Sequence, residues 1–138
     1  MRRIGISILV TASFSLFAAN GPAVAQNISF DPGAVRSACS GDTCSDAVLA
    51  AVSAIQGSGL AAAQMNEQLG VLAAVLVQVA QTTPSARQSV ARELSRVATV
   101  STDRAQRSTI ERVASRVADA SNDIGTIETS SPIGASPG

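Results

Sequence analysis

Two cysteines are the most reactive side chains that this sequence offers. Cys39 and Cys44 are its only cysteines, and a bond between them closes a six-residue ring around the turn-forming stretch Ser40-Gly41-Asp42-Thr43. Such a disulfide stabilises a fold by about 2 kcal/mol in the chain-entropy model. The alternative is a redox or metal site, but the C-x4-C spacing is not that of a redox C-x-x-C, and no His or third Cys completes a metal site. The pair therefore predicts a structural disulfide and no metal centre.

Most groups that carry out acid-base or nucleophilic catalysis are missing. The 138 residues include no His, Tyr or Lys. Glu67 is a single carboxylate with no second carboxylate near it, and Gly57-Ser58-Gly59 lacks the length and the following Lys of a phosphate-binding loop. A site that joins a Ser and a carboxylate from different helices is the remaining catalytic alternative. We predict that the chain is not an enzyme and holds no cofactor.

Arginine is concentrated near the end of the chain. Residues 87–116 contain seven Arg and three acidic residues and so carry +4, whereas residues 26–86 and 117–138 carry −3 each. Such a patch can bind an acidic protein or an anionic lipid surface. The alternative is a solvated helix face whose charges pair at helical spacing, as Asp103 and Arg107 can. Nucleic acid is not expected, because no Lys or stacking aromatic side chains accompany the Arg. The candidate partner-binding residues are Arg92, Arg96, Arg112 and Arg116.

The first 25 residues have the features of an export signal. Arg2 and Arg3 precede an apolar stretch of about 16 residues, and Ala23-Val24-Ala25 follows as a small-residue cleavage site. The alternative is an uncleaved anchor, but the stretch is shorter than the roughly 20 residues of a spanning helix. Cleavage leaves eight Arg and ten acidic residues, a net charge of −2. Export fits a disulfide, because oxidising compartments preserve it. The prediction is a periplasmic or secreted bacterial protein.

A brief helical turn is predicted before the cysteine loop, and an amphipathic helix is predicted after it. Asp31-Pro32 begins a brief helical turn through Ala38, because Asp is a favoured N-cap and Pro a favoured first residue. After the loop, Ser45 or Asp46 caps an amphipathic helix that ends at Gly57-Ser58-Gly59.

The strongest helical pattern covers residues 60–81. Its apolar residues follow a 4-3-4-3 spacing, set by Met65, Leu69, Leu72, Leu76 and Val79. The predicted helix has a second apolar face beside this stripe. A helix with two apolar faces belongs in the middle of a bundle. The alternative is a helix that inserts into membranes or self-assembles, although its continuous apolar run of about 11 residues is too short to cross a bilayer.

The last part of the chain predicts a helical hairpin. Thr83-Pro84 starts a new helix, with Thr83 as N-cap. One apolar stripe covers residues 90–97 and another covers residues 110–124, and at 100° per residue they lie about 180° apart. A single straight helix would therefore carry its two apolar stripes on opposite faces. We predict a break at residues 101–103, where Ser101 or Thr102 caps the second helix.

Together these patterns predict an all-α protein. Residues 26–124 form a small up-and-down bundle of about four helices with a disulfide-stapled N-terminal loop, because short connections favour antiparallel neighbours. Residues 125–138 are predicted to be a disordered tail.

The leading hypothesis is a non-catalytic interaction protein with an unidentified protein partner, bound by the Arg-rich face or by an apolar groove. The alternative is an envelope-associated or membrane-active structural protein that uses helix 60–81 and contacts membranes peripherally. Oligomeric state is not predicted.

Overall fold

The computed structural model describes residues 28–119, which form five α-helices and no strand. The helices are α1 (Pro32–Cys39), α2 (Cys44–Gly57), α3 (Ala62–Thr82), α4 (Arg87–Val100) and α5 (Arg104–Ala118). The all-α prediction is confirmed. The count of about four helices is wrong, because the segment before the cysteine loop forms a separate helix of eight residues and not a single turn. The predicted signal peptide 1–25 and the predicted tail 125–138 lie outside the described residues.

The disulfide between Cys39 and Cys44 joins the end of α1 to the start of α2, as predicted. Both cysteines are buried. Asp31 caps α1 as predicted, since its Oδ1 accepts hydrogen bonds from the backbone N–H groups of Gly33 and Ala34. The predicted cap of α2 is wrong. That helix begins at Cys44, because the disulfide holds this residue at the first helical position, and Thr43 before it makes no side-chain capping bond.

Helix α3 is the centre of the fold and packs against each of the other four helices. Most of its apolar residues from Leu69 to Ala80 are buried, which agrees with the two apolar faces of its sequence. Among the described residues, the hydrophobic core contains aliphatic side chains and the disulfide, and Phe30 and Met65 pack at its edge. Small Ala and Val side chains let the helices approach closely. Within residues 28–119, no helix is both long enough and apolar enough to span a membrane.

Hydrogen bonds between distant residues fix the directions of the helices. Asn66 near the start of α3 bonds Thr102 at the end of α4, and Arg87 at the start of α4 bonds the last carbonyls of α5. Helices α3, α4 and α5 therefore alternate in direction. Helix α1 runs in the same direction as α3, because Ser29 bonds Gln68 while Arg36 bonds a residue ten positions further along α3, Gln78.

The break between α4 and α5 lies at residues 101–103, where the sequence predicts it, but the predicted caps are wrong. Asp103, and neither Ser101 nor Thr102, caps α5: its Oδ1 accepts from the backbone N–H groups of the second and third helical residues, at 2.8 and 3.1 Å. Ser101 and Thr102 bond α3 instead. The helical segment starts at Pro84 with Thr83 as its N-cap residue, as predicted, but its first turn is a 3-10 turn at Pro84–Ala86 that leads into α4, and Thr83 makes no side-chain capping bond.

Candidate interaction surface

Three of the four candidate arginines lie on the outer side of the α4–α5 hairpin. Helical spacing places Arg92 and Arg112 away from the buried stripes of their helices, and both are exposed. Arg116 follows one turn after Arg112 and is also exposed, as is Arg104 in the first turn of α5. We refer to Arg92, Arg104, Arg112 and Arg116 as the Arg surface.

A shallow cavity of about 240 Å³ separates the outer sides of α4 and α5. We call it the α4–α5 groove; it is lined by Gln88, Ala91, Arg92, Ser95, Ala114, Ser115 and Ala118. The groove forms because small side chains face each other across the hairpin, so the two helices pack closely without filling the space above the contact. Four of the lining residues are polar or charged, and the other three are Ala.

The guanidinium groups of the Arg surface make few polar contacts with the described residues. Within residues 28–119, Arg92, Arg104 and Arg116 make no hydrogen bond or ion pair. Arg112 donates one hydrogen bond, from Nη2 to Oγ1 of Thr109 at 3.3 Å. Three of these four guanidinium groups are therefore available to a partner without loss of a polar contact among the described residues, and Arg112 would lose only its bond to Thr109.

The fourth candidate, Arg96, has a different environment. Its Nη1 lies 2.9 Å from Oε2 of Glu93 and donates a hydrogen bond to Oγ of Ser45 on α2. Glu93 is only 4% exposed. The carboxylate would be an uncompensated buried charge without Arg96, so Arg96 holds the fold together and does not belong to the Arg surface.

The burial of Glu93 could have been detected in the sequence. Glu93 stands three residues after Val90 and four before Val97, so helical spacing places it beside the buried stripe of α4. Arg96 is the next basic residue at ion-pair spacing. The spacing indicates that Glu93 and Arg96 can form an ion pair. Whether that pair is buried depends on α2, which packs against this side of α4.

Two side chains at the start of α4 hold the end of α5 at one end of the groove. Arg87 donates from Nε to the carbonyl of Val117 and from Nη2 to the carbonyl of Asp119, at 3.1 and 2.7 Å. Gln88 donates from Nε2 to the carbonyl of Ala118 at 3.0 Å. These bonds satisfy helix-terminal carbonyls that lack partners within the helix. They also fix the point at which the chain leaves the hairpin.

A buried polar cluster lies at the opposite end of the hairpin and was not recognised in the sequence. Gln106 donates from Nε2 to the backbone carbonyl of Asn66 at 2.7 Å and accepts from Oγ of Ser101 at 2.6 Å. The side chain of Asn66 also donates to Oγ1 of Thr102 and accepts from its backbone N–H. Every buried side-chain polar atom among the described residues has a partner. The cluster is thus a structural clamp between α3 and the hairpin.

A second cavity, of about 210 Å³, lies between α1 and α2 and is nearly all apolar. It is lined by Phe30, Asp31, Ala34, Val35, Ala47, Ala50, Ala51 and Ala54.

Within residues 28–119, no three Cys, Asp or Glu side chains gather as metal ligands would. We take the Arg surface as the candidate functional site, because the sequence predicts partner binding there and its guanidinium groups are exposed. Comparison with protein-family models, curated proteins and solved structures gave no match to this chain.

Proposed function

We propose that this chain is a non-catalytic, exported interaction protein, periplasmic or secreted, whose Arg surface binds an acidic protein. The observation that carries the proposal is the set of four exposed guanidinium groups, of which only that of Arg112 has a polar partner among the described residues. One of them, Arg92, lines the α4–α5 groove.

Guanidinium groups suit this role because their planar fork donates two parallel hydrogen bonds to one carboxylate. Each exposed contact contributes only about 0.2–1 kcal/mol, so recognition requires several Arg at once. The Arg surface provides four. The α4–α5 groove beside Arg92 gives an extended acidic segment room to approach the two helices.

A protein partner is favoured over a lipid surface. Helices that bind membranes in the interfacial plane combine basic residues with exposed apolar side chains that enter the lipid. Among the described residues, the exposed large apolar side chain is Leu49, which is 46% exposed and belongs to α2. The Arg surface is therefore not accompanied by an apolar face of its own hairpin.

The membrane-active alternative, which uses helix 60–81, has no comparable support. The apolar residues of α3 lie in the core, so their insertion into a bilayer would first require the bundle to open. Flotation of the chain with liposomes tests this alternative, since a protein that stays at the bottom of the gradient does not insert.

The proposal predicts that neutralising three of the four residues of the Arg surface weakens binding to an acidic peptide. We expect the variant Arg92→Gln/Arg112→Gln/Arg116→Gln to bind a decaglutamate peptide about tenfold more weakly or worse, because three exposed contacts of roughly 0.5 kcal/mol each are lost. Isothermal titration calorimetry at low ionic strength measures this difference, since salt screens exposed charges.

The matched control adds three negative charges elsewhere, by Ser53→Glu, Ala63→Glu and Gln64→Glu at exposed positions of α2 and α3. It changes the net charge by the same amount as the triple Gln variant. We expect its affinity for decaglutamate to fall less than threefold. Equal losses in the two variants would mean that only net charge matters, which would overturn the proposed site.

A further inference from the structure

Helix α1 has the fewest buried residues of the five described helices. Its buried side chains are those of Val35 and Cys39, whereas α3 buries eleven residues. Its length of eight residues is below the roughly 12–15 residues at which an isolated helix becomes even marginally stable in water. Contacts with the rest of the chain must therefore hold α1, and few of its side chains supply them.

The long-range hydrogen bonds of α1 and of the residues just before it are accessible to water. The backbone N–H of Ser29 donates to Oε1 of Gln68 at 2.9 Å in a half-buried position. Arg36 donates from Nη2 to Oε1 of Gln78 at 3.1 Å on the surface. Water can replace either partner of such bonds, so they contribute little to stability. We do not expect them to hold α1 in place by themselves.

The disulfide is the covalent contact that ties the end of α1 to the bundle. Cys39 is the last residue of α1 and Cys44 is the first residue of α2, and both are buried. The four residues between them are exposed, so the loop itself adds no buried contact. In the chain-entropy model, closing a ring of this size favours the docked over the open form roughly 40-fold. Loss of the bond removes this factor from the helix that has the fewest buried side chains.

The other helices are joined by contacts that do not involve α1. At one end of the α4–α5 hairpin, Gln106 bonds the backbone carbonyl of Asn66 on α3, and at the other end Arg87 bonds the last carbonyls of α5. Helix α2 is joined to α4 by the bond from Arg96 to Ser45. None of these contacts requires α1 to stay in the bundle. We therefore expect α1 to open as a local event, without unfolding of the whole chain.

We propose that the disulfide between Cys39 and Cys44 is a redox-sensitive switch. In the oxidised chain α1 is docked, and reduction by a dithiol releases residues 28–39 while α2–α5 stay folded. The S–S bond breaks, each sulfur takes up one electron and one proton to become a thiol, and the dithiol is oxidised to a disulfide. Both cysteines are buried, so the dithiol reaches them when α1 opens transiently.

Release of α1 exposes an apolar face of α2. The cavity of about 210 Å³ between the two helices has one wall on α1 and the other on α2, where Ala47, Ala51 and Ala54 line it. When α1 leaves, this wall of α2 becomes open to solvent. The switch does not involve the Arg surface, so it stands apart from the proposed function.

The test is amide hydrogen exchange of the full chain, followed by NMR before and after reduction with dithiothreitol. Alkylation of the freed thiols and mass spectrometry verify that the disulfide is broken. On reduction we expect the amides of Arg36 and Ala38 to exchange at least about tenfold faster and their Cα shifts to move to random-coil values. The amides of Leu76 in α3 and Leu94 in α4 should stay protected by about 100-fold or more, with helical Cα shifts.

Two variants serve as controls. Cys39→Ala/Cys44→Ala cannot form the bond, so its α1 should be released with or without dithiothreitol. Asp42→Ala changes an exposed residue of the same loop and keeps the disulfide, so its α1 should stay protected until the chain is reduced. A reduced chain whose α1 amides remain as protected as in the oxidised chain would overturn the proposal. Loss of protection in α3 and α4 together with α1 would also overturn it, because the bond would then hold the whole fold.

Discussion

Replacing Gln106 by Ala should lower the free energy of unfolding by about 2–4 kcal/mol. The substitution removes the donor to the carbonyl of Asn66 and the acceptor for the hydroxyl of Ser101, at a side chain that is 1% exposed. An unsatisfied buried polar group costs about 1–3 kcal/mol, and the space left by the side chain adds a cavity term. Urea denaturation followed by circular dichroism measures the change.

Two further variants separate hydrogen bonding from volume at this position. Gln106→Met keeps most of the side-chain volume but cannot accept from Ser101, so we expect it to lose at least about 1 kcal/mol. Gln56→Ala changes an exposed Gln on α2 and should stay within about 0.5 kcal/mol of the unmodified chain. A Gln106→Ala variant as stable as the Gln56→Ala control would contradict the role of the cluster as a clamp.

Replacing Arg96 by Ala should also destabilise the fold, by about 1–3 kcal/mol. Loss of one partner of a buried ion pair costs about 3–5 kcal/mol, but the side chain of Arg96 is 39% exposed, so solvent screens part of this effect. Arg92→Ala is the matched control, because Arg92 makes no polar contact within residues 28–119 and should change stability by at most about 0.5 kcal/mol.

A double-mutant cycle identifies the cause of this loss. Glu93→Gln removes the buried charge while keeping the side-chain size, so Arg96→Ala should destabilise the chain much less in the Glu93→Gln background. An Arg96→Ala effect of equal size in both backgrounds would mean that the loss comes from packing and not from the ion pair. If the cycle gives the expected coupling, Arg96 must be left intact in any test of partner binding.

Local sequence patterns were sufficient to predict part of this fold. The cap of α1 was predictable because Asp31 and Pro32 act on backbone groups within three residues. The break between α4 and α5 was predictable because the apolar stripes change phase across it. The central position of α3 followed from its two apolar faces.

Features that depend on distant residues could not be predicted in the same way. Ser101, Thr102 and Asp103 are all able to cap a helix, and the choice among them depends on Asn66, which lies 35 positions before Ser101 and engages the first two. The fifth helix could not be predicted locally, because α1 is a full helix that packs beside α3, a contact between residues far apart in the sequence.

The candidate site was predictable only as a region. Charge counting places the Arg-rich window in the last two helices, and the structure leaves Arg92, Arg112 and Arg116 exposed there. Helical spacing alone does not distinguish Arg96 from Arg92, because both lie outside the apolar stripe of α4. The difference arises from α2, whose Ser45 accepts a hydrogen bond from Arg96.

The central claim, that the Arg surface binds acidic protein, is tested most directly by mapping where decaglutamate binds. The measurement is a titration of the ¹⁵N-labelled chain followed by its amide chemical shifts. We expect saturable changes at Arg92, Ser95, Arg112 and Ser115, and none at Ala34 and Ala50 beside the apolar cavity of α1 and α2. Changes confined to α1 and α2, or no saturable change at low ionic strength, would contradict the claim.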